Sequence, residues 1–112
     1  MGMTTPAWTG WDEATAAYQR GDYATAIREL RPLAEQGVAE GQFLLGVMYD
    51  KGLGVPQDYV QAHMWYNLAA SRRPPGEYRD ISVKSRDIVV EKMTPAQISE
   101  AQKLAREWRP KK

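Results

Sequence analysis

Cysteine and histidine, which often serve as nucleophiles, proton-transfer groups or zinc ligands, are almost absent from this chain of 112 residues. The chain contains no cysteine and a single histidine, His63, so it has no thiolate ligand, no disulfide and no pair of histidines for metal binding or proton transfer. We interpret His63 as a solvated helix residue rather than a ligand. Asp22 and Asp58 each begin an Asp-Tyr pair that precedes an apolar segment. A carboxylate at such a position caps the first turn of a helix, and we favour this interpretation over paired catalytic acids.

Two other patterns lack parts of the ligand sites that they resemble. Gly52-x-Gly54 has neither the third glycine of a dinucleotide fingerprint nor the Gly-Lys-Ser/Thr of a P-loop. Met48, Met64 and Met93 are interpreted as core residues, because no two of them stand at ligand spacing with a third partner. We therefore predict no catalytic residue, no metal site, no cofactor and no enzymatic activity. An enzyme of unrecognised type is the least favoured alternative.

The charge balance does not identify a partner. Lysine and arginine number 15 against 14 aspartates and glutamates, a formal net charge of +1, whereas nucleic-acid binders carry a basic surface. The Arg-Arg pair at 72–73 and the basic C-terminus have no interleaved aromatic residues, so we interpret them as solvated and expect no nucleic-acid partner. No segment is long and apolar enough for a membrane span or a signal sequence, and we expect no membrane partner.

An internal repeat organises the chain. The Asp-Tyr pair at 22–23 recurs at 58–59, and a Tyr-x-x-Gly motif at 18–21 recurs at 49–52. Apolar residues at spacings of three and four precede each Tyr-x-x-Gly motif and follow each Asp-Tyr pair. This pattern predicts that each unit is a pair of helices. Gly21 and Gly52 are predicted to end the first helices in the left-handed conformation. Pro32 lies within the apolar pattern of a second helix, where we predict a kink rather than a new turn.

Two more helices are predicted after the Arg-Arg-Pro-Pro-Gly break at 72–76. The helix from Glu77 to about Lys92 carries one largely apolar stripe, formed by Tyr78, Ile81, Ser85 and Ile88. The last helix begins with Thr94-Pro95-Ala-Gln97, a capping box with proline at the first helical position. Its apolar face is Ile98, Ala101, Leu104, Ala105 and Trp108. We expect residues 109–112 to be a frayed, solvated tail.

Residues 45–70 follow the pattern Leu-Gly-x-x-Tyr-x-x-Gly-x-Gly-Val-Pro-x-Asp-Tyr-x-x-Ala-x-x-Trp-Tyr-x-x-Ala-Ala, and this segment resembles the Sel-one-like repeat (SLR) family, a relative of the tetratricopeptide repeat. By this resemblance the chain is one SLR domain. Residues from about 8 to 37 form a shortened first repeat, 38–73 a full repeat and 77–108 the C-terminal capping helices of a bacterial SLR protein. The implied fold is all-α, a short right-handed α/α superhelix of antiparallel helix pairs with a C-terminal capping helix pair. Trp8 and Trp11 either pack on the first pair or leave one ring exposed for contact.

The resemblance implies a protein–protein interaction module, a scaffold or adaptor that binds a protein or peptide on the concave face of the stacked pairs. The first helix of each pair lines that face, and side chains not needed for packing are free to contact a partner. Phe43 and Val47 are predicted to be apolar anchors. The full set of predicted partner-binding residues is Asp12, Ala16, Gln19, Arg20, Glu40, Phe43, Val47, Asp50 and Lys51.

Self-association is the second functional hypothesis. A solenoid usually needs about three or more units, and this chain has two and a terminal helix pair, so its exposed ends could associate to form a homodimer. The identity of the partner is not predicted. The compartment also stays open, because the resemblance implies export to the periplasm if an upstream signal peptide was removed, and a cytoplasmic location otherwise.

Overall fold

A computed structural model describes residues 10–111, which form six α-helices and no strand. This confirms the predicted all-α fold. Trp8, the other residues before Gly10, and Lys112 lie outside the described residues. The helices are α1 (Trp11–Gln19), α2 (Tyr23–Glu35), α3 (Ala39–Lys51), α4 (Tyr59–Arg72), α5 (Glu77–Val90) and α6 (Pro95–Glu107).

Each helix packs mainly on its neighbours along the chain. Helix α1 packs on α2, α2 on α3, α3 on α4 and α4 on α5, whereas α6 packs on α4 rather than chiefly on α5. The described part of the chain measures 52 × 29 × 25 Å. Packing between neighbours in an elongated array is the arrangement of a helical solenoid. The two C-terminal helices therefore both cover α4.

The predicted helix ends are present. Gly21 and Gly52 have φ angles of 81° and 70°, in the left-handed region that closes a helix. Asp22 and Asp58 accept hydrogen bonds from the backbone N–H groups three residues on, at 3.3 and 3.1 Å. Hydrogen bonding with Thr25 lowers the pKa of Asp22. Helix α2 continues through Pro32 to its last residue, so no new turn begins there.

The C-terminal helix is also built as predicted. The Thr94 hydroxyl accepts from the Gln97 N–H at 3.2 Å, while the Gln97 side chain accepts from the Thr94 N–H at 2.9 Å. Ala101 is fully buried. Leu104, Ala105 and Trp108 pack on the core formed by α1 to α4. The apolar face of α6 thus covers one side of the solenoid.

The tail after α6 is predicted to be frayed, but Lys111 is held by contacts with Glu35. The Lys111 N–H donates to the carbonyl oxygen of Glu35 at 2.8 Å, and the Lys111 ammonium lies 3.2 Å from the Glu35 carboxylate. Glu35 is the last residue of α2, where carbonyl groups lack partners within the helix. The tail remains exposed, but these contacts hold it against the end of α2.

Helix α5 does not bury its predicted stripe. Tyr78, Ile81 and Ile88 are 68%, 42% and 48% exposed, whereas Ser82 and Val89 are buried. Ser82 fits because its hydroxyl donates to the carbonyl oxygen of Tyr78 in the preceding turn at 3.2 Å, so it enters the core without a missing hydrogen bond. The prediction chose the most apolar face of α5, but the residues at the positions adjacent to that face pack against the core.

Close contact between α3 and α4 depends on Gly46. A Cβ atom at this position would lie 2.8 Å from Cδ1 of the Tyr66 ring. The ring cannot easily retreat, because Tyr66 is 2% exposed and its hydroxyl donates to the Asp50 carboxylate at 3.1 Å. Burial of the ring, followed by the charge of Asp50, raises the pKa of Tyr66, which keeps the donor proton in place.

We expect Gly46→Ala to lower the free energy of unfolding by about 1–2 kcal/mol, since overpacking at Tyr66 outweighs the helix propensity that alanine adds. Urea unfolding measures the change. Gly41→Ala is the matched control, because Gly41 is also buried in α3 but an added Cβ would meet its nearest atoms at 3.2 Å. A Gly46→Ala protein as stable as the unmodified chain would contradict the proposed close packing.

Candidate functional site

An open cavity of about 400 Å³ lies between α1, α3 and α5, and we call it the α1–α3–α5 groove. These are the first helices of three successive pairs. Most of its wall is apolar. The apolar lining residues are Trp11, Tyr18, Phe43, Leu44, Tyr78 and Ile81, and the polar ones are Thr15, Gln19, Glu40, Arg73 and Ser82.

Helical periodicity places these side chains on one side of each helix. On α1, the groove residues alternate with Ala14 and Ala17, which are fully buried. On α3, Leu45 and Met48 enter the core, while Glu40, Phe43 and Leu44 face the groove. Spacings of three and four residues put such positions on one face of a helix. The groove is therefore formed by rigid elements whose opposite faces are anchored in the core.

Phe43 belongs to both the groove and the core. Its ring centroid lies 5.5 Å from that of Tyr66, and the side chain packs on the cluster of Ala62, Tyr66 and Val89. Val47 packs on the same cluster but does not line the groove. Packing therefore fixes the position of the Phe43 ring before any partner binds, which limits the entropy that binding would cost.

Three of the nine predicted binding residues line the groove, namely Gln19, Glu40 and Phe43. Asp12, Ala16, Arg20 and Lys51 are exposed outside it, and Arg20 forms an ion pair of 3.3 Å with Asp22. Val47 and Asp50 support the packing of α3 on α4. Most of the groove wall was not in the predicted set, because it comes from the packing faces of α1 and α3 and from α5.

Arg73 lines the groove, although the Arg-Arg pair was predicted to be solvated. Its side chain is 13% exposed, with Nη1 at 3.8 Å from a Glu40 carboxylate oxygen and the guanidinium carbon 5.1 Å from the centre of the Tyr78 ring. The neighbouring Arg72 lies instead over Trp108, at 4.8 Å. Helix α4 ends at Arg72 and the backbone is extended at Arg73, as it usually is before a proline. The change of backbone direction separates the two arginines, so Arg72 is exposed as predicted, whereas Arg73 is largely removed from solvent.

His63 is also not solvated, contrary to the prediction. It is 3% exposed, and its Nδ1 has no hydrogen-bond partner. Helix α4 is covered by α3, α5 and α6, so its residues 62–66 are all buried. Burial lowers the pKa of His63, and the positive charge of Arg86 on α5 adds to this shift, while Asp87 opposes it.

Among residues 10–111, no group of three histidine, aspartate or glutamate side chains is placed to hold a metal ion. None of the helices in this range has the length and apolar character needed to cross a membrane.

Stacked helix pairs and a groove lined by their first helices define the chain as an α-helical solenoid of the repeat class. The Sel1 repeat family model matches residues 39–73, which contain α3 and α4. The chain also resembles the crystal structure of a protective antigen present in uropathogenic Escherichia coli strains and displaying an SLR fold. That match has a TM-score of 0.81 and 29% identity, and covers 92% of this chain and 22% of the antigen chain. Residues 39–73 thus match a Sel1 repeat, and the fold of the chain is similar to an SLR fold.

The match covers less than a quarter of the length of the antigen chain. Sel1 repeats are generally protein-interaction modules and form non-catalytic scaffolds. The α1–α3–α5 groove is the candidate interaction site in this chain.

We expect acid to destabilise the protein through His63. Its pKa in the folded chain is below the ordinary value of 6.5, so the unfolded chain binds the proton more tightly. The stability contributed by neutral His63 is therefore complete above pH 6.5 and is lost as the pH falls below it.

Urea unfolding above and below pH 6.5 checks this expectation. Carboxylates also contribute to acid sensitivity, so His63→Leu, which cannot titrate at this position, is the control. The leucine variant should lose less stability between the two pH values than the unmodified chain. An equal loss in both proteins would show that His63 is not responsible.

Proposed function

We propose that the chain is a non-enzymatic interaction module that binds a protein or peptide in the α1–α3–α5 groove. The observation that carries this proposal is the apolar wall, to which three rigid helices contribute. Tyr78 and Ile81 are large apolar residues of this wall that remain well exposed. Exposed apolar surface gathered in a concavity is typical of a site that a partner covers.

The size of the groove fits side chains of a peptide. A cavity of about 400 Å³ lies in the range of small-ligand pockets, about 300–1,000 Å³. The aromatic rings of Trp11, Tyr18 and Phe43 offer large contact areas at low conformational cost, as binding anchors usually do. Gln19 and Glu40 supply polar groups beside these rings.

The predicted residues outside the groove have a place in this proposal. Asp12 and Ala16 are exposed along α1, Arg20 is exposed directly after it, and Lys51 is exposed at the end of α3. A partner longer than the groove would extend past it and contact these residues, which would then select by charge. Val47 and Asp50 would act indirectly, by holding α3 against α4.

Self-association is a second candidate function, favoured by Ile88. This residue is 48% exposed and lies outside the groove, in a shallow depression with Val83 and Lys84. It is on α5, which belongs to the last helix pair of the described chain. A second copy that covers Ile88 would bury apolar surface at the end of the solenoid.

Two isoleucines on the same helix test the two candidates. Ile81 and Ile88 have similar exposure, but Ile81 lines the groove and Ile88 does not. We would select peptides from a displayed library on the unmodified protein and measure their affinity for Ile81→Glu and Ile88→Glu. We expect Ile81→Glu to weaken binding tenfold or more, since a carboxylate would enter the apolar wall, and Ile88→Glu to leave binding unchanged.

Selected peptides that bind both variants equally well would refute the groove as the site. Light scattering over a range of concentrations tests the second candidate in the same proteins. A dimer that is lost only in Ile88→Glu would support self-association, and a monomer at all concentrations would refute it.

A further inference from the structure

Arg73 is a poorly hydrated cation at the edge of an apolar wall. Its side chain is 13% exposed, compared with 38% for Glu40, the nearest carboxylate. The groove side chains around it include Leu44, Tyr78 and Ile81. A charge in such a place has lost most of its water, so it requires good partners in the protein or in a ligand.

The partners of Arg73 within the described chain are incomplete. Its Nη1 is 3.8 Å from Glu40, whereas charge-assisted hydrogen bonds measure about 2.7–2.9 Å. Its Nε is buried without a hydrogen-bond partner. The Tyr78 ring interacts with the guanidinium only through a cation–π contact, in which the guanidinium carbon lies 5.1 Å from the ring centre. A guanidinium has five N–H donors in a planar fork, so Arg73 retains unused donor capacity.

A carboxylate matches this capacity. It accepts two parallel hydrogen bonds from a guanidinium and balances its charge, which a neutral carbonyl cannot do. The adjoining wall requires an apolar side chain on the same ligand. Resting on the proposed function, we infer that the groove binds an acidic peptide segment that places an apolar side chain against Phe43 and Leu44 and presents its carboxylate to Arg73.

Glu40 is then a competitor of the ligand for Arg73. Its long ion pair is the contact that an incoming carboxylate would replace. Removing the Glu40 charge should therefore strengthen binding of an acidic ligand, whereas removing the Arg73 charge should weaken it. These opposite signs distinguish a specific contact from general damage to the groove.

The probes are N-acetylated dipeptides that share a tryptophan side chain and differ in charge. Acetyl-Trp-Glu-amide carries a side-chain carboxylate, acetyl-Trp-Gly carries a terminal one, and acetyl-Trp-Gln-amide is neutral. Binding is followed by NMR through the backbone amide signals of α1, α3 and α5. We expect the better carboxylate probe to bind about tenfold more tightly than the neutral probe, as suits one hydrogen-bonded charge pair. Comparison of the two acidic probes shows which source of carboxylate the groove prefers.

Variants at three positions complete the experiment. Arg73→Gln should remove the preference for the carboxylate, and Glu40→Gln should increase it severalfold. Arg72→Gln is the matched control, because Arg72 lies over Trp108 and does not line the groove. Arg73→Lys keeps the charge without the planar fork and should retain only part of the preference; it also keeps the test open if Arg73→Gln unfolds.

The outcomes distinguish a failure of the role of Arg73 from a failure of the proposed function. Equal affinity of acidic and neutral probes for the groove, or a preference that survives Arg73→Gln, would overturn the role of Arg73 and leave the proposed function standing. If no probe shifted a groove signal at millimolar concentration, and no selected peptide depended on Ile81, the inference and the proposed function would both fail.

Discussion

The contact between Gly46 and the Tyr66 ring determines how closely α3 approaches α4. A side chain at position 46 would force the ring or the helices to shift, because its Cβ would come within 2.8 Å of the ring. The hydroxyl of Tyr66 is tied to Asp50, and the ring lies against Phe43 at 5.5 Å between centroids. The same ring therefore sets the spacing of one helix pair and the position of an aromatic residue in the groove. Core packing and binding surface share this one side chain.

The burial of α4 has the next largest consequences. Since α3, α5 and α6 all cover it, both apolar and polar residues of this helix enter the interior, and His63 loses contact with water. Helix α5 packs on α4 and buries Ser82 and Val89, which leaves its most apolar stripe exposed. Part of that stripe forms the third wall of the groove, and Ile88 remains on another surface. One choice of helix face thus creates both candidate interaction surfaces.

The groove combines a rigid apolar wall with an ion pair that is too long for a strong hydrogen bond. Arg73 enters the groove because the chain is extended before Pro74, and Glu40 reaches it from the first turn of α3. Each group holds the other only weakly, and burial prevents water from fully replacing the missing contact at Arg73. A surface of this kind offers apolar contact area together with a site that selects by charge.

The sequence by itself determined the helix ends and the class of fold. Glycines that adopt positive φ, aspartates that cap and the Thr94 box act over three or four residues, so their effects can be read from the local pattern. The match of α3 and α4 to a known repeat extended this to the stacking of pairs. The groove lining, the exposed stripe of α5 and the burial of His63 and Arg73 were decided by the tertiary structure. Each depends on which face of one helix packs against helices that are distant in the sequence. Small residues such as Ser82 can be buried at such a contact, and apolar periodicity does not identify them.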